Sequence, residues 1–114
     1  MTTETAALPR DRRTNRRRPV KSGATVTARK GALGLGPNVV LAPVTLSDDG
    51  ISLRVNRELT KGDELEITLI PPGRAKFIKL MGDVRWCRAG AHETYVIGVQ
   101  FRRRLRYVEV GELA

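Results

Sequence analysis

From residue 23 onward the apolar residues of this chain recur at every second position. That period places them on one face of an extended strand, whereas a helix needs spacings of three and four. Ala24, Val26 and Ala28 alternate with Thr25, Thr27 and Arg29. Val40, Ala42, Val44 and Leu46 form a second run, with Val39 and Leu41 as an apolar partner face. Ile51, Leu53 and Val55 make a third, and Leu65, Ile67 and Leu69 a fourth. Ile78, Leu80, Gly82, Val84 and Trp86 predict one face of a long strand, and Tyr95, Ile97, Val99 and Phe101 close the series. Turn residues punctuate the runs at Gly31–Pro37, Asp48–Gly50, Lys61–Asp63, Pro71–Gly73 and Ala89–Glu93. The expectation is an all-β domain, an antiparallel barrel or sandwich of six strands, with the six-stranded antiparallel β-barrel preferred because closure removes the exposed edges of a small sheet. Arg104–Ala114 is the one helix candidate, with Leu105, Val108 and Leu113 loosely spaced and Gly111 working against it.

A chain of 114 residues is long enough for one core and too short for two. Aromatic residues are only 4%, so that core has to be built from Val, Leu, Ile and Ala. The single cysteine, Cys87, excludes an internal disulfide framework, and the single histidine, His92, removes most His-based metal or triad chemistry. No run approaches the ~20 apolar residues of a membrane span. The first twenty residues lack a secretory leader, which makes a cytoplasmic protein the default.

Charge adds the first functional constraint. The net charge is +9, which points to an anionic partner. Residues 1–21 hold seven basic groups and two acidic ones, so more than half the excess sits in the first fifth of the chain. Residues 1–9 read as a disordered tail, and residues 10–21 as a basic arm of the domain that fills 10–114. The arm has almost no apolar side chain to bury; taken alone, it reads as a solvated tail. A second cluster, Arg102, Arg103, Arg104 and Arg106, lies near the C-terminus without an evident role.

Motifs for catalysis are missing. The glycines of Gly31-Ala-Leu-Gly34-Leu-Gly36 are not followed by a βαβ unit, so a hairpin loop is the better reading than a dinucleotide fingerprint. Cys87 ends a strand and His92 sits in a loop, which gives no nucleophile–base pair, and no carboxylates are spaced for acid–base work. The chain is not expected to be an enzyme. What remains is arginine. Arg13 and Arg17 are four apart on the arm, with Arg12 before them. A guanidinium offers a planar fork of donors that grips phosphate through two bonds and stays charged at cellular pH. Separately, Thr45-Leu-Ser47-Asp-Asp-Gly50 falls where one strand turns into the next. Alternation places Thr45 and Ser47 on one face, and Gly50 permits a positive φ and a close backbone approach.

These features together resemble a PilZ domain over roughly residues 10–114. The family's Arg-x-x-x-Arg motif is matched by Arg13 and Arg17 within Asp-Arg12-Arg13-Thr-Asn-Arg16-Arg17-Arg18-Pro19-Val20, and Pro19-Val20 sets that register. Its Asp/Asn-x-Ser-x-x-Gly motif is matched by Thr45-Leu-Ser47-Asp-Asp-Gly50. Gly82-Asp-Val84-Arg-Trp86 and Gly98-Val99-Gln-Phe101 follow in the family's order. The resemblance implies a six-stranded split barrel with a C-terminal helix and a receptor for the bacterial second messenger cyclic di-GMP. It implies that Arg12, Arg13 and Arg17 hold phosphates and guanine faces, that Ser47 supplies a hydroxyl, and that Gly50 gives close approach. Thr45 stands where the family carries Asp or Asn. A threonine hydroxyl accepts less than a carboxylate at the Watson–Crick edge of guanine, and losing a charge-assisted bond costs about 1.5–3 kcal/mol.

The mechanism this implies is a switch. The arm orders over the barrel when ligand phosphates neutralise its arginines, and the newly ordered surface meets a protein partner or a second copy of the chain. No cofactor is implied beyond the nucleotide ligand. Two other readings compete. One is a degenerate PilZ adaptor that binds no nucleotide and acts by protein contact, for which Thr45 is the telling residue. The other is a basic barrel for single-stranded nucleic acid; it is disfavoured because Trp86, Tyr95 and Phe101 fall on predicted inward faces and leave few rings for stacking.

Overall fold

The computed structural model describes residues 17–31, 35–73 and 77–114. One antiparallel sheet of seven strands carries the fold. In chain order these are β1 (Arg18–Pro19), β2 (Thr25–Lys30), β3 (Val40–Leu46), β4 (Gly50–Val55), β5 (Glu64–Ile70), β6 (Ile78–Ala89) and β7 (Tyr95–Phe101). They are followed by a short helix, α1 (Tyr107–Leu113). The order across the sheet is β1-β3-β4-β7-β6-β5-β2. Six of these are the expected strands; β1 is an addition of two residues on which the period says nothing.

The sheet curls until its two ends approach one another. Arg29 of β2 forms an isolated bridge with Asn38. The Val39 N–H donates to the Ala28 carbonyl at 2.9 Å, and the Ala28 N–H donates to Asn38 Oδ1 at 3.0 Å. Asn38 therefore stands in for ladder bonds at the point where β2 and β3 would otherwise leave backbone groups unpaired. Inside the curl lie Val26, Ala28, Leu46, Ile51, Leu53, Val55, Leu65, Ile67, Leu69, Leu80, Val84, Ile97 and Val99, all buried. This is the aliphatic core that the scarcity of rings requires.

Strict alternation fails at three places, each a register shift in a ladder. In β3 the lateral partners are Val40↔Val55, Pro43↔Leu53 and Leu46↔Ile51, so the inward residues recur every third position. Val44, expected on the inward face, is 39% exposed, and Leu41 is 51% exposed. Two bulges thus correct the expected face of β3. In β6, Val84 pairs with Val99 but Trp86 pairs with Gly98, leaving Arg85 as the extra residue. The side-chain period is two, so one inserted residue inverts every position after it. Trp86, expected inward, therefore lies on the outer face, and Cys87 turns in to pack against the core.

Helix α1 is shorter than the expected span of 104–114. The Glu109 carboxylate reaches back to accept the Arg106 N–H at 2.7 Å, satisfying one of the orphan donors at the helix start. At the other end Lys21 supplies two donors: its N–H to the Leu113 carbonyl and its Nζ to the Gly111 carbonyl, both at 2.8 Å. A cation on the last carbonyls also suits the helix dipole. Leu113 is fully buried, so α1 is both packed into the core and tied to the segment that leads from β1 to β2.

Candidate functional site

The motif turn is held from several sides. The Ser47 N–H donates to the Gly50 carbonyl at 2.9 Å, and the Ser47 hydroxyl donates to Asp49 Oδ1 at 2.8 Å. Phe101 N–H donates to the Asp49 carbonyl at 2.8 Å and Leu105 N–H to the Asp48 carbonyl at 2.7 Å. Arg104 pairs with Asp48 at 3.5 Å. Gly50 does not have a positive φ, which corrects the first reason given for it. The close approach found at Gly50 is that of the adjacent strand: a Cβ there would lie 2.5 Å from the Val99 carbonyl oxygen.

The outer face beside this turn is made of small residues. Pro19, Thr45, Ser52, Gly98 and Trp86 are successive lateral partners across β1, β3, β4, β7 and β6. Gly98 has no side chain because an added Cβ would fall within the indole of Trp86. Ser52 is buried and spends its hydroxyl on Thr45, 2.7 Å from Thr45 Oγ1 and 3.1 Å from the Thr45 N–H. A depression opens at the Gly98–Trp86 end of this row. It is a cleft of about 180 Å³ lined by Arg17, Asp49, Gly50, Arg85, Trp86, Gly98, Val99 and Gln100.

Arg17 reaches this cleft because β1 seats the end of the arm on the sheet edge, Arg18 against Leu46 and Pro19 against Thr45. Its Nη1 lies 3.5 Å from Thr45 Oγ1. The structure therefore brings Arg17 and Gly50 into one cleft and sets Thr45 beside Arg17. Ser47 is buried behind the turn at 1% exposure, with its hydroxyl committed to Asp49, and does not line the cleft. Arg12 and Arg13 lie outside the described residues, as does the tail 1–9.

Among the lining residues, Arg85, Trp86 and Gln100 were not sequence candidates for binding, while for Asp49 the alternation gave no assurance that it could stand in for the Asp or Asn that Thr45 replaces. Gly82-Asp-Val84-Arg-Trp86 had marked the fold, but its strand period sent Trp86 to the wrong side. On the outer face the indole carries the Arg88 guanidinium 4.6 Å from its ring centre. Arg85 projects from the bulge, exposed and without an ion pair among the described residues. The C-terminal arginines, by contrast, are spent on structure. Arg102 bonds Asp83 at 2.7 Å and Glu64 at 2.5 Å, two carboxylates that face each other across β5 and β6. The Arg102 hydrogen bond, aided by its charge, holds the Asp83 carboxyl below the usual aspartate range. Arg103 pairs with Glu109 at 3.2 Å.

A curled antiparallel sheet with a short C-terminal helix is the PilZ-like fold. The chain belongs to the PilZ domain family, whose profile matches residues 11–110. No curated protein sequence matches it. Among solved structures it is similar to the Bacillus subtilis inhibitor of motility (MotI/DgrA), with a TM-score of 0.57 and 13% sequence identity. That match covers 82% of this chain and 46% of the other, so the chain spans less than half the length of that protein. At such identity the likeness is one of fold. Among the described residues no helix is long and apolar enough to cross a membrane.

Proposed function

We propose that this chain is a cyclic di-GMP receptor in which the basic arm closes over a nucleotide held on the outer face of the barrel. The observation that carries this reading is that Arg17 and Gly50, one from each PilZ motif, line the same cleft. Arg17 and Arg85 offer forked donors for phosphate oxygens and guanine O6 and N7, and the Trp86 indole, lying over Gly98, offers a flat face to a base. Arg12 and Arg13 add phosphate contacts from the arm. Binding orders that arm, whose attachment at β1 and Lys21 carries the change toward α1. The ligand shifts this equilibrium only by its differential affinity for the docked arm. A protein partner, or a second copy of the chain, would then meet the ordered surface.

The test is a calorimetric titration with cyclic di-GMP, with GTP as control. Arg17→Ala and Arg13→Ala are each expected to lower the affinity at least ten-fold. Unchanged affinity in both variants contradicts the reading.

The degenerate-adaptor reading keeps one specific support. Thr45 replaces the family's Asp or Asn, and its hydroxyl is already engaged with Ser52 and Arg17. Under that reading the unsubstituted protein gives no binding heat with cyclic di-GMP. The nucleic-acid reading gains Trp86 on the outer face, and Phe77 and Tyr107 are also exposed, whereas Phe101 is buried and Tyr95 packs against the core. A salt titration with single-stranded oligonucleotide separates the two, because phosphate tracking makes affinity fall steeply with ionic strength.

A further inference from the structure

We propose that Asp49 supplies the carboxylate that distinguishes guanine from adenine in this cleft, a role the Thr45 position does not fill. The inference rests on the cyclic di-GMP reading and adds to it the residue that sets base specificity.

Thr45 is unsuited in this structure. Its Oγ1 is within reach of Arg17 Nη1 at 3.5 Å and of Ser52 Oγ at 2.7 Å, and it does not line the cleft. Asp49 does line it and is the sole carboxylate there. Its position is fixed twice, by the Ser47 hydroxyl on Oδ1 at 2.8 Å and by the Phe101 N–H on its carbonyl at 2.8 Å. Its Oδ2 has no hydrogen-bond partner or ion pair among the described residues, which leaves it to accept from a ligand. The neighbouring Asp48 is differently used. Its Oδ2 faces Arg104 at 3.5 Å and its Oδ1 is buried, so neither oxygen is offered to the cleft.

The chemistry follows from the two purine edges. Guanine presents N1–H and N2–H donors side by side, which a carboxylate accepts. Adenine presents the N1 lone pair at the corresponding place, which a carboxylate repels. A carboxylate preset by Ser47 therefore favours guanine without further reorganisation. The buried Ser47 of the motif then acts through Asp49, orienting its carboxylate without touching the ligand.

The experiment compares unsubstituted protein, Asp49→Asn and Thr45→Val by calorimetry against both cyclic di-GMP and cyclic di-AMP at one salt concentration. Asparagine keeps an oxygen for Ser47 and turns the other acceptor into a donor, so the turn is retained, and an unchanged thermal midpoint verifies this. Removing a negative charge strengthens binding of both dianions alike, so the ratio of the two affinities is the readout. The expected result is that Asp49→Asn lowers the preference for cyclic di-GMP at least ten-fold while Thr45→Val leaves it unchanged. An unaltered ratio in Asp49→Asn, or a loss of preference in Thr45→Val instead, overturns the assignment of Asp49. Absence of binding by the unsubstituted protein overturns the cyclic di-GMP reading itself, and this inference with it.

Discussion

Glu109 is buried at the start of α1, where an unpartnered carboxylate would not persist. Burial pushes its pKa up, but bonds from the Arg103 guanidinium and the Arg106 N–H, with the charges of both arginines, outweigh that and hold it below the ordinary 4.5. A carboxyl whose folded pKa is depressed contributes stability above its unfolded value and loses it as pH falls through the folded one. Glu109→Gln should accordingly cost about 1–2 kcal/mol at neutral pH. It should also flatten the decline in stability on acidification below pH 4.5. Denaturant midpoints for both proteins at pH 7 and at pH 3 measure this; parallel declines would contradict it. Asp83, held low by Arg102, adds to the same acid-side loss. None of these pairings was legible in the chain, because Arg102–Arg106 reads as surplus positive charge until the fold brings Asp83, Glu64, Glu109 and Asp48 beside it.

Strands were legible wherever the pleat ran unbroken. β2, β5 and β7 face as their alternation predicts, since one buried face imposes its period on the sequence. β3 and the end of β6 do not, because a bulge adds a residue that no side-chain pattern marks. Two glycines on the outer face test this part of the structure in different ways. At Gly50 the obstacle to a side chain is the Val99 backbone carbonyl at 2.5 Å, so β4 and β7 would have to separate. Gly50→Ala is expected to destabilise by about 2–3 kcal/mol, read from urea unfolding. At Gly98 the obstacle is the Trp86 indole, which can swing away. Gly98→Ala should destabilise less, by about 1–2 kcal/mol, and shift the emission of the single tryptophan toward that of a solvated indole. Equal losses at the two glycines, with Trp86 emission unmoved, would contradict the bulged register.

Across the whole molecule, α1 links the core to the arm. Leu113 fills the interior while Lys21, which follows β1 and the cleft-lining Arg17 closely in the chain, caps the helix. Leu113→Ala should therefore cost about 2–4 kcal/mol. Under the proposed switch it should also weaken cyclic di-GMP binding although Leu113 does not line the cleft, because the anchor of the arm loosens; calorimetry at a temperature where the variant is folded checks the second effect. By itself the sequence determined the all-β class, the aliphatic core and the two motifs that identify the family, since burying one face of a strand leaves its mark on every second residue and motif residues stand close together in the chain. Tertiary structure alone decided which face Trp86 occupies, that Asp49 and not Ser47 lines the cleft, and that the C-terminal arginines are spent on carboxylates. The reason is physical: each of these depends on a register shift or a meeting of distant strands, and such contacts are selected by the packing of the folded sheet, with no local pattern to announce them.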